Sequence, residues 1–308
     1  MTTRRADDAA PGATRQPTVA ALVWVNGRAT AGDAHVSALD RGFTLADGLF
    51  ETMRVYDGSP FRLDAHLARL ERGAATLGMS APVGALRDTI ADALRAAAEA
   101  GWRDAALRLT LTRGAGIVGV APPPAEAAPP PTTVVTVQPL PHFPPAIYER
   151  GLSARVASGV RNERAMTSGL KTLGYTDAVL AIAEARRAGA DEAIFLDGEG
   201  HCSEATSSNL FAVVGDTLVT PPVSCGALPG ITRAAVIALA RGRELEVAER
   251  PLSLDELRGA REAFLTSSLR EIAPLVRLGD GAIGLGVPGS TTRELTRAYT
   301  ALVSRERA

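Results

Sequence analysis

Apolar and polar positions begin to follow a regular pattern near Ala20. The run ALVWVNGRAT (21–30) is a short apolar strand followed by Asn-Gly. LFETMRVYDGSPF (49–61) repeats the arrangement with Asp-Gly, so both segments read as hairpins. The period then changes. Leu63, Leu67, Leu70, Ala74 and Leu77 recur at helical spacing with Asp64 near the start, and VGALRDTIADALRAAAEAG (83–101) predicts a second helix. ALRLTLTRG (106–114) and TTVVTVQPL (132–140) predict strands. The proline-rich stretch 115–131 lies between these matching strands, so it is expected to be a long loop inside one unit rather than a linker.

The expected boundary is PHFPPAIYERG, residues 141–151. Beyond it LSARVAS, EAIFLD, NLFAVV, TLVTPP and EAFLTSS read as strands. DAVLAIAEARRAGA, GITRAAVIALARG and the terminal TTRELTRAYTALVSRER read as helices. Neither half alternates strand and helix regularly, and no internal repeat is found. The expectation is an α+β protein of two domains, a smaller one over 20–140 and a larger one over 152–308, after a disordered tail at 1–19.

Composition narrows the partners. The chain has 308 residues and a formal net charge of −1, with no basic cluster of the kind nucleic acid or a membrane surface requires. No apolar run is long enough to span a bilayer, and the mixed-charge N-terminal stretch lacks the apolar core of a signal peptide. Cys202 and Cys225 form no C-x-x-C pair, and with four scattered histidines they offer neither a disulfide framework nor metal-ligand spacing. A small-molecule substrate and a cytoplasmic location are expected.

One number stands out: 33 lysines and arginines together include a single lysine, Lys171. Codon drift in a G+C-rich genome explains the arginines, yet such drift should also have replaced any lysine that arginine could replace. Arginine keeps its proton, whereas lysine can become a nucleophilic amine and form a Schiff base with a carbonyl. Two other segments carry chemistry. SEATSSNLF holds Glu204 on an expected short loop between two strands. CGALPGITR places Gly230, Ile231 and Thr232 at the first turn of a helix, where free N–H groups and a hydroxyl favour an anion.

Together DRGFTLADGLFETMRVYDG, HLARL, LKTLGYTDAVLA, SEATSSNLF and LPGITR resemble the class IV aminotransferase family, in the family's order and over nearly the whole chain. The resemblance implies fold type IV, pyridoxal 5′-phosphate as cofactor, and a homodimer with its site between the two domains. It assigns Lys171 to the Schiff-base linkage and Glu204 to the pyridine nitrogen. It gives Arg69, Ile231 and Thr232 to the phosphate, Leu228 to the ring face, and Tyr175 to the neighbourhood of the ring hydroxyl.

On the substrate side, FETMR (50–54) departs from the FEG-I-R of branched-chain aminotransferases. TRGAGIVGVAPPP lacks the Arg-x-His carboxylate trap of bacillus-type D-amino-acid aminotransferases. Arg54 and Arg108, on predicted strands, are the candidates for a substrate carboxylate. FETMRV with LKT-x-x-Y looks most like 4-amino-4-deoxychorismate lyase, with a D-amino-acid or branched-chain aminotransferase as the alternative. A non-catalytic pyridoxal-phosphate-binding relative would be expected to lack Lys171, Glu204 or Arg69, and all three are present.

Overall fold

The computed structural model describes residues 20–30, 34–116 and 119–307. The tail expected at 1–19 lies outside the described residues.

Strands β1 (Leu22–Val25) and β2 (Arg28–Ala29) form the first hairpin, and the short helix α1 (Arg41–Leu45) follows. Then come β3 (Gly48–Tyr56), β4 (Ser59–Pro60), α2 (Leu63–Thr76), α3 (Val83–Glu99), β5 (Ala105–Thr112) and β6 (Thr132–Pro139). The six strands make an antiparallel sheet in the order β2-β1-β6-β5-β3-β4. Leu67, Leu70 and Ala74 of α2, with Leu86, Ile90 and Ala93 of α3, pack on one face of it, against Leu49, Met53, Leu107, Leu109 and Val135. Alternation explains the choice of face, since odd-numbered positions of β5 are buried and Arg108 is not. Segment 115–131 connects β5 to β6, which pair directly at Thr112 and Thr132. Arg41 holds this loop by donating to the carbonyls of Gly119 and Val120 at 2.9 and 2.8 Å.

The second half contains α4 (Ala146–Glu149), β7 (Leu152–Val160), α5 (Thr176–Arg187), β8 (Glu192–Leu196), β9 (His201–Ala205), β10 (Asn209–Val214) and β11 (Thr217–Thr220). It continues through α6 (Ile231–Arg241), β12 (Val247–Glu249), β13 (Leu252–Ser253) and α7 (Leu254–Arg258). It ends with β14 (Glu262–Ser267), β15 (Glu271–Leu278), β16 (Gly281–Ala282) and α8 (Ser290–Glu306). The strands form one ten-stranded mixed sheet. Within it β10-β14-β15-β7-β8-β9 curls until β10 meets β9 again at Asn209 and Glu204. Leu152, Ile194, Leu210 and Leu265 fill one cluster of this half, while α6 and α8 cover Phe211 and Phe264 in another. Tyr56 and Phe61 of the first half join the latter cluster, so the halves share apolar packing.

One sequence expectation changes, and one strand has no counterpart in the sequence reading. Glu204 sits in strand β9 rather than on a loop. β15 was not foreseen because Pro274 interrupts it. Pro274 pairs with Phe264 on one side, and the parallel contact with β7 starts only at Leu275, so the missing N–H costs the ladder little. Among the described residues no helix is long and apolar enough to cross a membrane, and no group of three His, Cys, Asp or Glu is placed to hold a metal ion.

Candidate active site

Alternate residues of β3 point to opposite faces. Leu49, Met53 and Val55 face α2 and α3, while Phe50, Thr52 and Tyr56 face the larger half. Arg108 stands directly opposite Thr52 on the β5 ladder and therefore shares that face. Between this face and the larger half lies a cavity of about 430 Å³, a usual size for a small-molecule site. Among the described residues its wall carries four cationic side chains, Arg69, Arg108, Lys171 and Arg270, and no carboxylate. The acids stand behind the wall.

The first is Glu51, 1% exposed on the helix-facing side of β3. Arg69 Nε and Nη2 donate to its two oxygens at 2.8 and 2.6 Å, and Nη1 donates to the Pro229 carbonyl at 2.9 Å. His66 Nδ1 is 2.7 Å from Glu51 Oε2. Burial alone would raise the Glu51 carboxyl, but hydrogen bonds from Arg69 and His66 hold it below the ordinary carboxylate value. Burial also lowers the His66 imidazole, so the ring is neutral near pH 7 and donates through Nδ1–H. Arg69 is thus locked on both sides with its guanidinium at the cavity edge.

Residues 171–173 run as a short partner of β3. Phe50 N donates to the Lys171 carbonyl at 3.0 Å, and Leu173 N donates to the Gly48 carbonyl at 3.1 Å. Lys171 Nζ lies 3.4 Å from the Tyr175 hydroxyl and 4.4 Å from the centre of the Phe50 ring. Burial, reinforced by the charge of Arg69, brings the amine down to about 8, with Glu51 and Glu204 pulling the other way. Tyr175 meets Phe50 edge-on at 5.0 Å, and burial followed by the charge of Glu204 pushes its phenol up to about 12.

Glu204 occupies the seam where β9 meets β10. Its Oε2 accepts from Leu228 N at 2.9 Å and from Asn209 Nδ2 at 3.3 Å, and its Oε1 lies 3.4 Å from Arg161 Nη2. Burial raises this carboxyl against the pull of Arg161. Asn209 Nδ2 also donates to the Leu228 carbonyl at 2.8 Å, tying the seam to the start of α6. Gly230 closes that link, because a Cβ there would fall 2.0 Å from Asn209 Oδ1. No side chain caps α6, and Gly230, Ile231 and Thr232 of its first turn line the cavity.

Residues 48–278 match the family Amino-transferase class IV. The chain belongs to that family. The crystal structure of 4-amino-4-deoxychorismate lyase from Pseudomonas aeruginosa is similar with a TM-score of 0.79 and 36% identity, over 90% of this chain and 97% of that one. Branched-chain amino acid aminotransferase from Escherichia coli gives a TM-score of 0.83 at 30% identity, over 91% and 94%. D-alanine aminotransferase from Bacillus licheniformis is 32% identical over 87% of this chain and 92% of its own length. This class IV chain is accordingly a pyridoxal-phosphate-dependent enzyme with the fold type IV architecture.

The cavity suits that cofactor. It offers an amine that sheds its proton near neutrality, an uncapped helix start beside Arg69, and Leu228 on the wall. The Thr266 hydroxyl, on a residue of the wall, is buried with no hydrogen-bond partner among the described residues. Glu204, from behind, can meet a protonated ring nitrogen.

The structure brings together Lys171, Arg69, Tyr175, Glu204, Leu228, Ile231, Thr232 and Arg108. It leaves out Arg54. That side chain, on the cavity-facing side of β3, is intercepted by Glu271 at 3.1 Å and by the Leu269 carbonyl at 3.2 Å, and it does not line the cavity. It clamps the β14–β15 tip instead, with the Tyr56 hydroxyl donating to the same Glu271 oxygen at 2.6 Å. Sequence reading missed Glu51, His66, Asn209, Arg161 and Arg270. Glu51 had a signal, since its period-2 position groups it with Leu49 and Met53. Phe143 and Pro141 were read as linker but form part of the cavity wall.

Proposed function

We propose that this class IV enzyme is a 4-amino-4-deoxychorismate lyase, which releases 4-aminobenzoate and pyruvate. The observation that carries the reading is Arg108. Its guanidinium stacks on Phe50 with Cζ 3.8 Å from the ring centre, faces the cavity, and has no carboxylate partner among the described residues. Burial lowers its pKa, so it gains most from a ligand anion such as the substrate's ring carboxylate. The likeness to the Pseudomonas aeruginosa lyase supports the choice.

When bound, pyridoxal phosphate supplies an electron sink for the substrate carbon that bears the amine. In this reading Lys171 would hold the cofactor, and its free amine would be the base placed to take the proton from that carbon. Glu204 would meet the protonated ring nitrogen, and Arg161 beside it favours the ionised carboxylate against the effect of burial. Arg69, Thr232 and the first N–H groups of α6 would hold the phosphate, Leu228 would pack on the ring, and Tyr175 would serve the ring hydroxyl. Thr52, across the ladder from Arg108, offers a hydroxyl to the departing enolpyruvyl oxygen.

Holoenzyme given aminodeoxychorismate should form 4-aminobenzoate, and Arg108→Ala should lower kcat/KM by roughly 10- to 100-fold. Amino transfer to 2-oxoglutarate or pyruvate with no 4-aminobenzoate would reject the lyase. That outcome would promote an aminotransferase of D- or branched-chain amino acids, the reading favoured by the likeness to the Escherichia coli and Bacillus licheniformis enzymes.

The same proposal includes a homodimer in the cytoplasm. Leu39, Phe43, Leu45 and Val120 are 61%, 78%, 44% and 83% exposed. Arg41 binds the Val120 carbonyl, and Gly116 N donates to the Leu39 carbonyl, which draws the segments that carry these exposed apolar side chains together. A second copy is the proposed cover for them. Cys202 and Cys225 are free, in keeping with a reducing compartment.

A further inference from the structure

Arg270 is the cation on the cavity wall that neither the cofactor nor the lyase chemistry described above uses. It ends the three-residue connection Ser268–Arg270 between β14 and β15. The next residue, Glu271, adopts a left-handed φ of 56°, the strained position a loop of this length places at its end. The loop is fixed from two directions. Arg54 and the Tyr56 hydroxyl hold Glu271 from the first half, and the Tyr148 hydroxyl donates to the Arg270 carbonyl at 3.4 Å. Arg270 Nη2 donates to Glu192 Oε2 at 2.8 Å. Glu192 is fully buried in β8, and its other oxygen accepts from the Thr206 hydroxyl.

Neutralising Glu192 is one possible job for Arg270, but it uses only one of five donors. Nε and Nη1 have no acceptor among the described residues, and neither is buried as an orphan, which leaves them open to the cavity. Donor accounting points the same way. In the proposed reading the phosphate would take Arg69 and α6, and the cofactor would take Lys171. Arg108 from the smaller half and Arg270 from the larger half remain for a substrate, in a cavity whose wall carries no carboxylate among the described residues. Glu192 balances the charge of Arg270, but a substrate with one carboxylate leaves the free donors of either Arg108 or Arg270 without an acceptor.

We propose that Arg270, braced by Glu192, is a second anion anchor and selects substrates that carry two carboxylates, one for Arg108 and one for Arg270. The inference rests on the proposed reading, since aminodeoxychorismate carries a ring carboxylate and an enolpyruvyl carboxylate. It extends to dicarboxylic amino acids if transfer is the reaction. Arg270 is then a specificity residue and Glu192 its positioning residue.

Binding of unreactive acids to the holoenzyme, followed by calorimetry, tests it without turnover. Glutarate and isophthalate are compared with pentanoate and benzoate. The wild type should bind at least one diacid roughly 10- to 100-fold more tightly than its one-carboxylate counterpart. Arg270→Gln should erase that preference while leaving pentanoate and benzoate unchanged, and Arg270→Lys should restore part of it. Equal preference in Arg270→Gln and wild type overturns the proposal. So does parallel loss of diacid and monoacid binding in both variants, which would mark Arg270 as a structural brace. A protein that makes no 4-aminobenzoate but keeps an Arg270-dependent diacid preference loses the lyase reading and supports this one.

Discussion

Replacing Glu51 by glutamine keeps the shape of the side chain and removes the charge that Arg69 grips with two hydrogen bonds. Breaking a buried pair from one side leaves the other charge uncompensated, so the variant should lose roughly 3–5 kcal/mol in denaturant unfolding and release its cofactor more readily on dialysis. Lys171 makes a prediction with a sign. Its pKa falls from 10.5 in the unfolded chain to about 8 in the fold, so between those values the unfolded chain holds the extra proton. Stability of the cofactor-free protein should therefore rise with pH across that window, and a Lys171→Ala variant should lack the slope. The rate of cofactor capture should climb about tenfold per pH unit up to about 8 and then level off. Lys171 was readable in the sequence because no arginine can replace its chemistry. Arg69 was not readable by periodicity alone, since a helix-surface arginine looks the same whether it meets water or a buried Glu51. Arg54 misled for a related reason: alternation put it on the correct face, but its intercepting partner Glu271 lies 217 residues away in the chain.

Among the elements, α6 depends most on one position. Gly230→Ala would drive a methyl group to 2.0 Å from Asn209 Oδ1, so either the helix start or the Asn209–Glu204 link must move. The variant should fold with a cost of about 1–3 kcal/mol and show weakened cofactor retention, measured by absorbance after gel filtration. Helices α2, α3 and α6 and most interior strands followed from spacing, because each presents one apolar face to one neighbour. β9 and β15 did not. β9 carries Ser203 and Glu204 inside a sheet that closes on itself, and β15 carries a proline, so both break the local pattern for reasons set by distant partners.

At the scale of the molecule, two sheets meet along β3 and share one cavity, with the lysine segment hydrogen-bonded to the smaller half. The exposed apolar side chains around Phe43 belong to this scale as well. Phe43→Asp should convert the proposed dimer to monomer in light scattering, whereas the same change at the isolated, exposed Met166 should not. The placement of the sole lysine has a practical consequence. With arginine in every other position that could have held lysine, reagents that acylate amines find one side-chain amine, and it lies in the cavity wall. Beyond the chain's own α-amine, the number of groups such a reagent labels is a direct count of molecules whose site is empty.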